Sequence, residues 1–193
     1  MDKRRVGKIA AFESAREFEQ WLAKNHAEST GIWLRFFKKN SSVLSVSYDE
    51  ALDAAICFGW IDGQLKKHDE KSWLRKFTPR RPNSVWSKRN RARAERLITG
   101  GKMQAAGLQE VEAAKQDGRW QAAYDSASEM EIPDDFVKEL AKNKRAKAFF
   151  ETLNRANVYA IVWRLQTAKK PETRQKRLVT ILAMLAKERK FHD

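Results

Sequence analysis

The apolar positions of this chain change period several times, and each change marks an element. Phe18, Trp21 and Leu22 recur at helical spacing behind Ser14-Ala-Arg-Glu17, which carries the hydroxyl and carboxylate of a capping box. A first helix is therefore expected from residue 14 to about 27. Gly31 breaks it, and the aromatic run 32–37 reads as a strand, because aromatic side chains suit a pleated surface. Asn40, Ser41 and Ser42 read as a turn. Ser47-Tyr-Asp-Glu50 repeats the capping pattern, and Tyr48, Leu52, Ala55 and Ile56 give a second helix one buried stripe ending near Gly59. Segments 60–66 and 72–78 then read as two strands joined by the polar turn 68–71. In the second strand Trp73, Arg75 and Phe77 share one face, and Leu74, Lys76 and Thr78 the other.

Pro79 and Pro82 hold the next segment extended, since each fixes its own φ and disfavours helix in the residue before it. Ser84 is placed to cap a helix that turns Trp86, Ala94, Leu97 and Ile98 inward. Lys88, Arg89, Arg91, Arg93 and Arg96 fill most of its remaining circumference, and Gly100-Gly101 ends it. Beyond that the pattern is helical, with breaks near Gly118, Pro133, Asn143 and Pro171. The last helix buries Leu178, Ile181, Leu182 and Leu185. These elements predict an α+β fold, predominantly helical. A small three-stranded antiparallel sheet is expected in the N-terminal half, followed by a helical C-terminal half. Residues 1–100 form the α+β region and residues 101–193 the helical region, expected to pack together as one compact unit.

A chain of 193 residues can bury a substantial core without disulfides or metals. Its single cysteine, Cys57, allows no internal disulfide and no cysteine-rich zinc site, and fits a reducing compartment. Residues 1–11 are charged where a signal peptide would turn apolar, and no apolar run approaches the roughly 20 residues of a membrane span. A cytoplasmic location is expected. The net charge of +14 is segregated. Residues 64–96 carry twelve Lys/Arg against Asp69, Glu70 and Glu95, residues 97–137 are net acidic, and residues 138–193 are basic again. Such blocks raise the expectation of an anionic partner.

Catalytic templates do not fit. There is no phosphate-binding glycine loop, no nucleophile elbow and no His-Glu-x-x-His pair. His26, His68 and His192 have no metal-ligand spacing, so neither a metal nor a cofactor is expected, and no catalytic residue is assigned. Cys57, among Ile56, Phe58 and Trp60, reads as a small core residue. Asp62 before Gly63 marks a tight turn, a bulge or an acid that pairs with a nearby cation. Arg80-Arg81, braced between two prolines, are pre-organised for an oxyanion or a carboxylate, with Asp62 as an internal rival. The candidate ligand-binding surface is Trp60, Asp62, Gly63, Lys66, Arg75, Phe77, Arg80, Arg81, Ser84 and Trp86.

Two stretches here, Ala55-Ile-Cys-Phe-Gly-Trp-Ile-Asp-Gly-Gln64 and Lys76-Phe-Thr-Pro-Arg-Arg-Pro-Asn-Ser-Val-Trp-Ser87, resemble the bacterial YdeI/OmpD-associated (bacteriocin-protection) family. Ala168-Lys-Lys-Pro-Glu-Thr-Arg174 is similar to that family too, so the resemblance runs nearly the whole chain. The resemblance supplies no reaction and no cofactor. Its label implies protection against antimicrobial peptides and association with a porin, although a cationic protein attracts cationic peptides poorly. The function expected first is that of a non-enzymatic, stress-related binding module for an anionic small ligand or a protein partner. Nucleic-acid binding through residues 64–96 and 138–193 comes second. An enzyme using Asp62 with Tyr48, His68 or Cys57 comes third.

Overall fold

The computed structural model describes residues 8–126 and 129–192. Residues 1–7, on which part of the signal-peptide expectation rests, lie outside them. Strand β1 (Ile9–Ala10) leads into helix α1 (Ala15–Asn25), strand β2 (Ile32–Phe37) and helix α2 (Tyr48–Cys57), with a 3-10 turn at Lys39–Ser41. Strands β3 (Trp60–Lys67) and β4 (Ser72–Pro79) follow, then helices α3 (Lys88–Thr99), α4 (Ala105–Gln116), α5 (Asp134–Ala141), α6 (Lys144–Glu151), α7 (Arg155–Gln166) and α8 (Pro171–Ala186).

The expected three-stranded antiparallel sheet is corrected to a four-stranded mixed sheet of order β1-β2-β4-β3. Strand β1 pairs parallel to β2, with Ile9 beside Trp33 and Ala10 beside Leu34. Two residues are too short to show any period, which is why the alternation pattern misses them. The three longer strands do pair antiparallel.

Capping chemistry explains where the first helices start. Ser47 accepts from the Glu50 N–H while the Glu50 carboxylate accepts from the Ser47 N–H, a complete capping box for α2. At α1 only half of the predicted box forms. Ser14 accepts from the Glu17 N–H, but the Glu17 carboxylate takes the N–H of Glu13. Helix α3 begins at Lys88, four residues after the predicted cap at Ser84, so Trp86 precedes the helix and Ile98 is exposed. The helical pattern after residue 138 hides one further break, where Asn154 caps α7 by accepting from the Asn157 N–H.

The chain divides into two compact units. The first holds the described residues up to Ser84 together with Asn90–Gln121, and the second holds Val85–Arg89 and the described residues from Ala122 onward. In the first, Phe18 of α1 meets Phe77 edge-on at 5.8 Å, and Trp21 meets Trp60 at 5.8 Å, so helix packs on one face of the sheet. In the second, Phe136, Leu140, Ala146, Ile161, Leu165, Leu178, Ile181 and Leu185 close a core among α5, α6, α7 and α8. No helix of the described residues is long and apolar enough to cross a membrane.

Candidate functional site

The two faces of the sheet have different chemistry, and a bulge in β3 decides which face each side chain joins. Trp60, Ile61 and Asp62 pair with Pro79, Thr78 and Phe77, but from Leu65 onward the register has moved by one residue. Side chains alternate along a strand, so one extra residue exchanges the faces of everything after it. Asp62 therefore shares the helix-covered face with Phe77. Lys66 instead stands opposite Leu74 on the other face, with Trp33, Arg35 and Lys76.

On the helix-covered face Asp62 is the centre of a closed cluster. Its Oδ2 accepts from the Tyr48 hydroxyl at 2.8 Å and from Arg75 Nε at 2.9 Å, and Arg75 Nη2 also reaches the Tyr48 oxygen at 3.3 Å. Burial, foremost, holds the Tyr48 phenol above its ordinary range, against the opposing hydrogen bond from Arg75 and with added push from the Asp62 charge. Tyr48 is thus a proton-bearing donor, which suits a clamp between α2 and the sheet better than a nucleophile. Both sequence readings of Asp62 are realised: a bulge follows it and a cation pairs with it. That cation is Arg75, not Arg80 or Arg81. Asp62→Asn is expected to lower stability by about 1–2 kcal/mol in urea unfolding, because it leaves the partly buried Arg75 guanidinium without a countercharge. Tyr48→Phe, which removes two hydrogen bonds but no charge, should cost about half as much. A variant Asp62→Asn as stable as the parent would contradict the clamp.

On the other face the cations are arranged differently. Lys66 Nζ stands 4.5 Å and Lys76 Nζ 6.0 Å from the Trp33 ring centroid. Neither ammonium forms an ion pair with a carboxylate among the described residues. Arg35 lies 4.5 Å from the Phe37 ring and is held by Asp69 at 2.6 Å and Ser72 at 3.0 Å.

The predicted surface is thus redistributed. Trp60, Phe77 and Trp86 are core residues, each no more than 1% exposed, and the Trp60 indole N–H donates to the His26 carbonyl. Arg80 is only 6% exposed, whereas Arg81 beside it is exposed. The Ser84 carbonyl accepts from Arg119 at 2.9 Å. Gly63 is exposed at the bulge, and Lys66 is the predicted residue that joins the outer face. Trp33 and Lys76 were absent from the predicted surface. The alternation within β4 already put Lys76 opposite to Arg75, which was the available signal.

The basic helix α3 is largely neutralised from within. Arg93 pairs with Asp49 and Asp53 of α2, and Arg96 pairs with Asp53 at 2.6 Å. Arg91 reaches Glu95 and the Trp120 carbonyl. Cys57 is buried, and burial first, then the Glu19 and Asp53 charges, push its thiol up to about 11, so a thiolate is not at hand near neutral pH. No cluster of metal-ligating side chains occurs among the described residues.

Residues 10–110, just over half of the chain, match the family model described as Domain of unknown function (DUF8412). The chain belongs to the DUF8412 family. The whole sheet, the Asp62 cluster and the Lys66–Trp33–Lys76 group lie within that match. Residues 129–188 match a second model, described as Bacteriocin-protection, YdeI or OmpD-Associated. The resemblance to the YdeI/OmpD-associated family is therefore borne out over the part that holds Ala168–Arg174. The two central motifs that also carried it fall instead within the DUF8412 region. No curated protein and no solved structure matches the chain.

Proposed function

We propose that this DUF8412-family protein is a non-enzymatic binding module of the cytoplasm that recognises an acidic surface on a protein partner through the outer face of its sheet. The observation that carries the reading is the placement of Lys66 and Lys76 against Trp33, uncompensated by any described carboxylate, while Arg93 and Arg96 of α3 are matched by Asp49 and Asp53. An ammonium on an indole is positioned by its apolar stem yet keeps its remaining donors for a partner. Four β-strands offer a broad face, and an extended acidic surface complements that better than a small molecule, which needs a cleft. Nucleic acid fits less well. Trp33 is only 5% exposed and so cannot stack on a base, and on the helix expected to grip phosphates Arg93 and Arg96 are already paired with Asp49 and Asp53.

Anisotropy of a labelled polyglutamate peptide tests the proposal. The double variant Lys66→Glu/Lys76→Glu is expected to weaken binding about tenfold or more, ~1.4 kcal/mol. Arg16→Glu/Lys24→Glu makes the same change in net charge on α1, which covers the opposite face, and should alter binding less than about twofold at physiological salt, where charges beyond ~8 Å are screened. Equal losses in the two variants would show that only net charge matters. An oligonucleotide of equal charge that binds more tightly than the peptide would also overturn the reading.

A further inference from the structure

A second cationic site lies entirely within the other unit, on side chains that sequence patterning reads as ordinary helix. A groove of about 450 Å³ runs along α7 and α8 to the segment beyond them. Trp163, Ile181 and Phe191 supply its apolar wall, Arg164, Lys176 and Arg177 its charge, and no acidic side chain lines it. A volume of this size is typical of small-molecule sites, which join an apolar wall to a few convergent polar groups.

The two arginines are oriented by backbone, not by acids. Arg164 Nη1 donates to the Ala160 carbonyl at 2.7 Å, and the guanidinium lies 3.7 Å from the Phe191 ring centroid. Arg177 Nη1 donates to the Arg164 carbonyl at 2.6 Å. Elsewhere partly buried arginines meet carboxylates, as Arg75 and Arg93 do; Arg164 and Arg177 meet none among the described residues. Their Nε and Nη2 donors make no hydrogen bond to a described residue. Burial, and after it the neighbouring Arg177 charge, depress the Arg164 guanidinium below its ordinary value. Two like charges held close together in a half-buried wall are unfavourable until an anion joins them. A planar guanidinium matches a carboxylate in two parallel hydrogen bonds, and so favours that anion.

We propose that this groove binds a small organic carboxylate with an aromatic body, the carboxylate on Arg164 and Arg177 and the ring against Trp163, Ile181 and Phe191. The site is independent of the sheet face and takes a different class of ligand. Phe191 follows the end of the YdeI/OmpD-associated match, so the segment after α8 contributes one wall.

Titration calorimetry of the full chain with 2-naphthoate tests this, with 2-naphthalenemethanol and inorganic phosphate as comparison probes. Naphthoate should bind at least tenfold more tightly than either, because the alcohol lacks the charge and phosphate lacks the ring. Arg177→Gln should weaken naphthoate tenfold or more and change the alcohol less than twofold. Because Arg177 also braces α7, Thr180→Trp provides a second variant. It starts from an exposed residue lining the groove and fills the groove with its own side chain, so it should abolish naphthoate binding in a folded protein. The sheet variant Lys66→Glu/Lys76→Glu should bind naphthoate like the parent, which separates failure of this site from failure of the other. Naphthoate that does not bind, that binds no better than phosphate, or that binds Thr180→Trp unchanged would overturn the proposal.

Discussion

Gly107→Ala is expected to destabilise the first unit by about 2 kcal/mol, even though alanine is the better helix former by ~1 kcal/mol. Gly107 lies inside α4, where a Cβ would stand 2.3 Å from the Cys57 carbonyl oxygen and 2.7 Å from that of Ile56. Both oxygens belong to the last turn of α2, and the Gln104 N–H, just before α4, donates to the Cys57 carbonyl at 3.1 Å. No side chain can swing aside there, so the two helices must part. Overlaps that a core cannot absorb typically cost about 1–3 kcal/mol, which outweighs the gain in propensity. Urea unfolding followed by tryptophan fluorescence reads the result, and Gly107→Val should be worse. An alanine variant more stable than the parent would mean that α2 and α4 do not touch at this point.

Asn157→Ala should cost the second unit about 3 kcal/mol, since it removes four hydrogen bonds from a residue only 1% exposed. Asn157 Nδ2 donates to Asn154 Oδ1 and to the His192 carbonyl, while its Oδ1 accepts from the N–H groups of Phe191 and His192. One side chain thus ties the segment after α8 to the start of α7. Its loss should also release Phe191 from Arg164, and amide exchange at residues 191 and 192 should accelerate along with the fall in stability. Asn157→Asp keeps the acceptor but loses both donors and sets a charge beside two acceptor oxygens, so it should rescue nothing. A loss under about 0.5 kcal/mol for Asn157→Ala would place this residue outside the core.

Both residues illustrate what the amino-acid pattern can and cannot convey. Elements with a long, clean period were legible: β2, β3 and β4 occur where alternation and aromatic content put them, and α8 opens at Pro171 and buries Leu178, Ile181 and Leu185. The two-residue β1 and the cap at Asn154 had too little sequence around them to register a period. Gly107 gave no signal, because the demand for a missing Cβ comes from a helix some fifty residues earlier. At the candidate site the chemistry of Asp62 was legible from its position before Gly63, but its partner was not. Seven Lys/Arg lie between Gly63 and Pro82, and strand register, not spacing, chose Arg75 over Arg80 and Arg81. The clustering of aromatics with cations was visible as well. What it could not convey was burial: Trp60, Phe77 and Trp86 are each buried, whereas the tryptophan that bears the cations is Trp33, from a strand about thirty residues away.

The bulge after Asp62 links these points. By one extra residue it keeps Asp62 under the helices, where it clamps Tyr48 and Arg75, and turns Lys66 outward to join Lys76 over Trp33. Stability of the first unit and the chemistry of its outer face thus arise from the same irregularity.

The most direct measurement is a titration of the 15N-labelled chain with unlabelled polyglutamate, following backbone amides and the indole N–H signals together. The largest shifts are expected on Trp33, Arg35, Lys66 and Lys76, with the Trp33 indole moving and that of Trp60 still. Shifts centred on Lys88, Arg89, Arg91, Arg93 and Arg96 of α3, with Trp33 unmoved, would contradict binding through the outer face.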